Sequence, residues 1–283
     1  MKNKSIDWNV VWMEMMQANR KADHQDRGNC ATLWDSRENA ERFWNRSQEN
    51  RGRIEKTLNE LHLKEDSRVL DIGAGPGSLA IPLSEKVGHV TAVEPGKGMM
   101  ELLQENISNS GISNIGCVNK RWEDLDVEKD LEGPYDVVIA SFSLGMPDIK
   151  DAIEKMQRVC SGHINLYWFA GETPWEEHST NLWPAMYGKE YSPGPKCNVL
   201  YNLLYSMGIY PDMHIFPLEF VNSFGSMDEA FDYFSSRYTI DTEQQEVVLR
   251  NYLEDTLEEQ DGKFVDRGQS IRVKVWWDQG AMD

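Results

Sequence analysis

The sequence is short of positive charge, of cysteine and of long apolar runs, and each shortage removes a class of protein. Against 47 acidic side chains stand 29 basic ones, a formal charge of −18 over 283 residues. Basic and acidic residues number 12 and 12 in residues 1–66, 9 and 15 in 67–170, 2 and 6 in 171–224, and 6 and 14 in 225–283, so no segment is a basic stripe. Phosphate backbones are bound by neutralising them with Lys and Arg, and no nucleic-acid partner is therefore expected. The four cysteines, Cys30, Cys117, Cys160 and Cys197, are far apart and form no C-x-x-C, so neither a disulfide framework nor a zinc knuckle is indicated. No run approaches the roughly 18 uncharged apolar residues of a membrane span, and the first residues, Met1 to Asp7, lack the apolar centre of a signal peptide. The six histidines show neither H-x-x-x-H nor H-E-x-x-H spacing, so no metal is expected. These absences together lead us to expect a cytoplasmic protein, monomeric or homodimeric, without a membrane partner.

What is present changes character along the chain. Trp8, Val11, Trp12, Met15 and Met16 follow helical spacing, and residues 33–61 read as two further helices with Trp34, Phe43, Trp44, Ile54, Leu58 and Leu61 facing inward. From Ser67, short β-branched runs alternate with helical stretches: strands at 68–72, 89–93, 114–119, 136–140 and 163–169, helices near 77–87, 97–110 and 148–159. Such alternation builds right-handed β-α-β units and a doubly wound, mostly parallel α/β sheet covered on both faces.

Beyond Gly171, six of the 11 prolines (Pro174, Pro184, Pro193, Pro195, Pro211 and Pro217) fall among Trp175, Trp183, Tyr187 and Tyr191. This segment reads as an irregular lid followed by a helix near 196–207. A strand near 213–221, helices near 226–236 and 242–258, and a last strand at 270–276 follow. In that last strand Ile271, Val273 and Val275 alternate with charged residues. The expected organisation is an N-terminal helical cover (1–66), a nucleotide-binding core (67–170), an aromatic, proline-rich lid (171–212), and a C-terminal part of the sheet with inserted helices (213–283).

The segment Val69-Leu-Asp-Ile-Gly-Ala-Gly-Pro-Gly77 leaves the first strand and opens a helix. Glycines there permit tight turning and close backbone approach to a ligand, and the helix start offers free N–H groups. A P-loop needs a lysine after its last glycine, whereas Ser78-Leu79 follows here, which disfavours ATP or GTP. A dinucleotide loop is G-x-G-x-x-G, whereas Gly73, Gly75 and Gly77 give G-x-G-x-G with Asp71 at the strand end. That carboxylate repels a pyrophosphate and favours a ligand bringing an ammonium and a sulfonium, as S-adenosylmethionine (SAM) does; a nicotinamide cofactor is the alternative. Glu94 ends the second strand where an acid accepts from ribose hydroxyls, and Pro95 and Met99 follow. After the third strand, Glu123 could accept from an adenine amino group while Trp122 supplies a stacking plane. Ser141 ends the fourth strand, above which the reactive end of a cofactor should lie.

These motifs resemble those of the class I SAM-dependent methyltransferases over roughly residues 34–170. Asp71-Ile-Gly-Ala-Gly-Pro-Gly77 is similar to the family's D-x-G-x-G-x-G, Glu94-Pro-Gly-Lys-Gly-Met99 to its E-P-S-x-x-M, and Tyr135-Asp136 to its F-D-x-V. The resemblance implies a Rossmann-like, seven-stranded-type sheet. It also implies that Gly73, Ala74, Gly75 and their neighbours hold the methionine moiety, that Glu94 binds the ribose, and that Pro95 and Met99 flank the adenine. Arg121-Trp122 departs from the family's common Asp-Ala pair at that position. Ala140-Ser-Phe-Ser143 stands where amino-methylating nucleic-acid enzymes carry N/D-P-P-Y/F.

On the acceptor side, Trp12, Trp34, Trp175, Trp183 and Tyr187 are candidate walls, suited to planar, apolar or cationic molecules; cementing the lid to the core is their competing role. His178, among Glu172, Glu176 and Glu177, is the single candidate proton acceptor. With only Lys189 and Lys196 as cations in 171–224, a small, neutral or cationic, partly apolar acceptor is expected. Methylation of protein or RNA, and a SAM-binding sensor or partner without catalysis, are the alternatives.

Overall fold

The computed structural model describes residues 6–22, 34–49, 51–238 and 240–280; Cys30 lies outside them. The chain divides into two compact units. One comprises the described residues of Arg27–Trp168, Tyr201–His214 and Lys274–Asp283, the other those of Met1–Asp26, Phe169–Leu200 and Ile215–Val273.

The strands follow the β-branched runs. β1 (Arg68–Ile72), β2 (His89–Val93), β3 (Ile115–Val118), β4 (Tyr135–Ser141) and β5 (Cys160–Phe169) are followed by β6 (Asp212–Phe224), β7 (Glu258–Gln260) and β8 (Lys263–Asp278). The sheet order is β3-β2-β1-β4-β5-β8-β6, with β7 pairing antiparallel to β8. The pairs among β1 to β5 are parallel, for example Asp71 beside Ala92 and Ile139, and Ile139 beside Asn165, with one register shift between Tyr135 and Val137 where β4 meets β5. β1 is buried along Val69–Ile72, as a strand covered on both faces must be.

In the first unit, α2 (Arg37–Glu49) and α3 (Arg51–Asn59) precede β1, and α4 (Ala80–Ser84), α5 (Lys97–Asn109) and α6 (Ile149–Val159) are the crossovers; α8 (Cys197–Ser206) is divided between the units after Leu200. α6 begins where the Asp148 carboxylate accepts from the Asp151 N–H, satisfying a donor that has no helical partner. The first crossover is shorter than its sequence pattern suggests, because residues 75–79 are spent in the turn after β1.

The other unit holds α1 (Trp8–Ala22), α7 (Pro174–Tyr187), α9 (Met227–Ser235) and α10 (Glu243–Thr256). Here one expectation needs correction: residues 174–187, read as irregular, are helical. Thr173 and Glu176 form a reciprocal capping box, Pro174 occupies a position where no N–H is required, and Gly188 ends the helix in the left-handed region at φ 66°. Only Pro184, in the last turn, removes a helical hydrogen bond. The last strand differs too. It begins at Lys263, and its cations Arg272 and Lys274 are buried together with Val273 and Val275. Among the described residues no helix is long and apolar enough to cross a membrane.

Candidate cofactor site

β1 delivers Asp71 to its carboxyl end, where the side chain is 1% exposed. Burial, and then the nearby Glu94 charge, push its carboxyl up to about 7. One of its oxygens, Oδ2, is buried with no protein hydrogen-bond partner. A buried acid in that state gains strongly from a cationic ligand.

The following loop is held by β2. The Gly73 and Ala74 N–H groups donate to the Val93 carbonyl at 2.8 and 3.1 Å. The Glu94 carboxylate takes the Gly75 N–H on Oε2 at 2.8 Å and the Gly96 N–H on Oε1 at 2.7 Å. Burial raises the Glu94 carboxyl, and those two N–H donors oppose the rise. Glu94 thereby spans the loops after β1 and β2, and each oxygen keeps a lone pair for a further donor. Gly73, at φ 75°, has no room for a Cβ because Ser143 occupies that space. Gly77, at φ 95°, is closed in by Leu103 and Ile81.

Met99 is 3% exposed and packs with Ala40 and Leu102 against Trp34 and Trp44. Its N–H donates to the Trp34 carbonyl at 3.2 Å, and the Lys97 N–H donates to Asp35 Oδ1 at 2.8 Å. Trp34, expected on the acceptor side, therefore stands beside Gly96 and Met99, with Phe43 edge-on at 5.6 Å. Pro95 is half-buried, and its carbonyl accepts from Asn119 Nδ2. Ser141 is half-buried at the end of β4.

Trp122 requires correction. Its indole is 2% exposed and donates from Nε1 to the Ala152 carbonyl at 3.0 Å, so it ties α6 to the turn after β3 and presents no open plane for a base. Glu123 is half-buried, and its carbonyl accepts from Lys155 Nζ at 2.6 Å.

Residues 69–162 match the family described as "Methyltransferase domain". An uncharacterised protein of Haemophilus influenzae is 29% identical over 162 residues, 57% of this chain and 58% of the relative. A 23S rRNA (uracil-C5)-methyltransferase of Vibrio campbellii is 30% identical over 84 residues, 30% of this chain and 18% of the relative. A crystal structure from Bacillus halodurans, of a protein provisionally named a methyltransferase, covers 80% of this chain and 98% of that one, with a TM-score of 0.55 and 16% identity. Residues 69–162 thus carry a methyltransferase domain, and the chain has the fold of the Bacillus halodurans structure. It spans 58% and 18% of the length of the two curated relatives.

The remaining candidates lie in the unit that contains α7. Trp12 is wholly buried. Trp183, 3% exposed, is edge-on to Tyr187, Tyr191 and Tyr238 at 4.9, 5.1 and 5.6 Å, within a cluster that includes Phe224 and Phe234. Trp12 and Trp183 act as packing residues and offer no free face. Trp175 and Tyr187 are half-buried; Trp175 meets Phe169 and Phe220 edge-on, with Arg272 at 5.4 Å. His178 joins a half-buried hydrogen-bonded chain. Its Nδ1 is 2.9 Å from Tyr252 Oη and its Nε2 3.1 Å from Asp266 Oδ1, while Asp266 Oδ2 accepts from Asn222 Nδ2 at 3.0 Å. Burial pushes Asp266 up, but the hydrogen bond and charge of His178 and the Asn222 amide outweigh it and hold the carboxyl low.

Three neighbours of the cofactor loop have no individual role at the site in the sequence reading. Phe43 lies against Gly75, and Phe142 and Ser143 follow β4. Phe43 is hidden because a helical apolar pattern marks it as core, although it is 38% exposed. Phe142 and Ser143 fall in the segment after the fourth strand that is expected above the sheet, where the sequence singles out Ser141 alone.

Proposed function

We propose that this chain is a methyltransferase that moves the sulfonium methyl of SAM to a small, neutral or cationic, partly apolar acceptor by in-line displacement. The S–CH3 bond breaks as the acceptor–CH3 bond forms, and an acceptor N–H or O–H gives up its proton. The observation that carries the cofactor reading is Asp71: a buried carboxylate with an unpaired oxygen beneath a three-glycine loop. It would hold the methionine ammonium. Gly73, Ala74, Gly75 and Gly77 would line the methionine chain, Glu94 would accept from the ribose, and Pro95, Met99 and Trp34 would border the adenine, with Glu123 toward its amino group. Bound SAM supplies an already activated methyl group, so the chain's own residues need to align, exclude water and, for an acidic acceptor, take a proton.

The preference for a small acceptor rests on the charge of −18 without a basic segment. An RNA acceptor is the second reading, favoured by the Vibrio relative. The unpaired thiols of Cys117, Cys160 and Cys197 suit a reducing compartment such as the cytoplasm. Incubation of the full chain with methyl-tritiated SAM, in parallel with a panel of small phenols, amines and thiols and with total RNA, separates the readings. Label should enter the small-molecule fraction; label confined to RNA overturns the small-acceptor reading.

A further inference from the structure

Among the described residues only two other than glycine have positive φ: Phe142 at 56° and Asp261 at 52°. Asp261 is explained by its place, since Asp261-Gly262 is the two-residue turn between β7 and β8, where left-handed backbone is ordinary. Phe142 has no such explanation. It stands directly after β4, and a Cβ-bearing aromatic residue is strained in that region. Backbone strain persists only where the surroundings impose it, and it gathers at functional sites.

The surroundings here are specific. The Phe142 N–H donates to the Tyr167 carbonyl at 3.0 Å, tying the turn to β5. The twist at Phe142 then directs Ser143 back across the end of β1. Ser143 Oγ donates to the Ile72 carbonyl at 2.5 Å, the last peptide before the glycine loop. Ser143 also fills the space that a side chain at position 73 would need. The requirement for glycine at 73 is thus partly imposed by Ser143, 70 positions further along the chain.

We propose that Phe142 and Ser143 form a positioning clamp for the cofactor loop: the strained turn presses Ser143 onto Ile72 and Gly73 and fixes the peptide orientation that the methionine moiety of SAM meets. This rests on the cofactor reading above. Neither residue is required to touch the ligand; Ser143 acts through Gly73 and is a positioning residue.

The test uses the full chain, with S-adenosylhomocysteine (SAH) affinity by titration calorimetry and the unfolding midpoint of the unliganded protein measured side by side. Ser143→Ala should weaken SAH binding about tenfold, the loss of one well-formed hydrogen bond at a rigid site. Ser143→Thr, which keeps the hydroxyl, should recover most of that loss. Phe142→Gly and Phe142→Ala both remove the ring, but only glycine relieves the backbone. The Gly variant should therefore unfold at higher temperature than the Ala variant and bind SAH more weakly. A purely packing role gives the opposite signature, with midpoints falling in Ser143→Ala while SAH affinity stays within twofold of the parent, and that overturns the clamp. Should Ser143→Ala not fold, the Phe142 pair decides: a Gly variant no more stable than the Ala variant overturns the clamp. A parent chain that does not bind SAH overturns the cofactor reading, and the clamp with it.

Discussion

Asp71 makes the cofactor reading quantitative, because the group expected to hold the ligand is also a cost to the unliganded fold. A carboxyl moved from 3.8 when unfolded to about 7 when folded is destabilising once ionised, at about 1.4 kcal/mol per pH unit of displacement. That places the full penalty near 4 kcal/mol, and about 2 kcal/mol if water follows the ion inward. The sign follows from proton binding: between pH 4 and 7 the folded chain holds a proton that the unfolded chain has released. Stability from this group therefore falls as pH rises through that window and levels off above it. Asp71→Asn, nearly isosteric and uncharged, removes the pH dependence. Urea unfolding should show the variant within about 0.5 kcal/mol of the parent at pH 4 and about 2 to 4 kcal/mol more stable at pH 8. SAH binding should move the other way. Without the carboxylate the ligand's ammonium loses a buried partner, for an affinity loss of about 30-fold or more. In the parent, affinity should fall below pH 7, by up to about tenfold per unit, because Asp71 must ionise to bind; in the variant this dependence should vanish. An Asp71→Asn protein that binds SAH like the parent, or that gains no stability at pH 8, refutes the reasoning.

Three further outcomes follow from particular contacts. Trp122→Phe should lower stability by about 1 kcal/mol through loss of the Ala152 bond and leave SAH affinity unchanged, whereas a base-stacking tryptophan would show a clear loss on calorimetric titration. Asn165 is wholly buried in β5 with both amide atoms unpaired within the protein; Asn165→Leu should raise the urea midpoint, by about 1 kcal/mol or more in stability, and a lower midpoint would show that the amide is satisfied. His178→Ala should cost about 2 kcal/mol at pH 7, because it strips a buried partner from Asp266. Since Asp266 is held below its ordinary range in the fold, that contribution is present above about pH 4 and lost on acidification through the lower folded value. Acid unfolding curves of parent and variant should converge toward pH 3, and parallel curves would sink the assignment.

The parts of the fold written in short-range pattern were legible. β1 to β5 announce themselves as β-branched runs between helical stretches, and Asp71, the three glycines and Glu94 are ordered by the strand ends that carry them. What escaped depends on contacts between distant residues or on local chemistry that two signals contest. Prolines at 174 and 184 suggested irregular chain, but a capping box and a favourable first-turn position make Pro174 a helix starter. Trp122 looked available for stacking until α6 supplied Ala152 as its partner. His178 was visible as a residue but not as a chain, since Tyr252 and Asp266 lie 74 and 88 positions away. The burial of Arg272 and Lys274 could not be read from alternation, which reports two faces of a strand without saying whether both are covered.

The central claim is that the loop after β1 binds SAM, and ligand-dependent thermal unfolding of the full chain tests it most directly. SAM and SAH should each raise the midpoint by an amount that grows with concentration, corresponding to about 2.7 kcal/mol at one hundred times the dissociation constant, and NAD should leave it unchanged. Protection by NAD with none from SAM or SAH would contradict the claim.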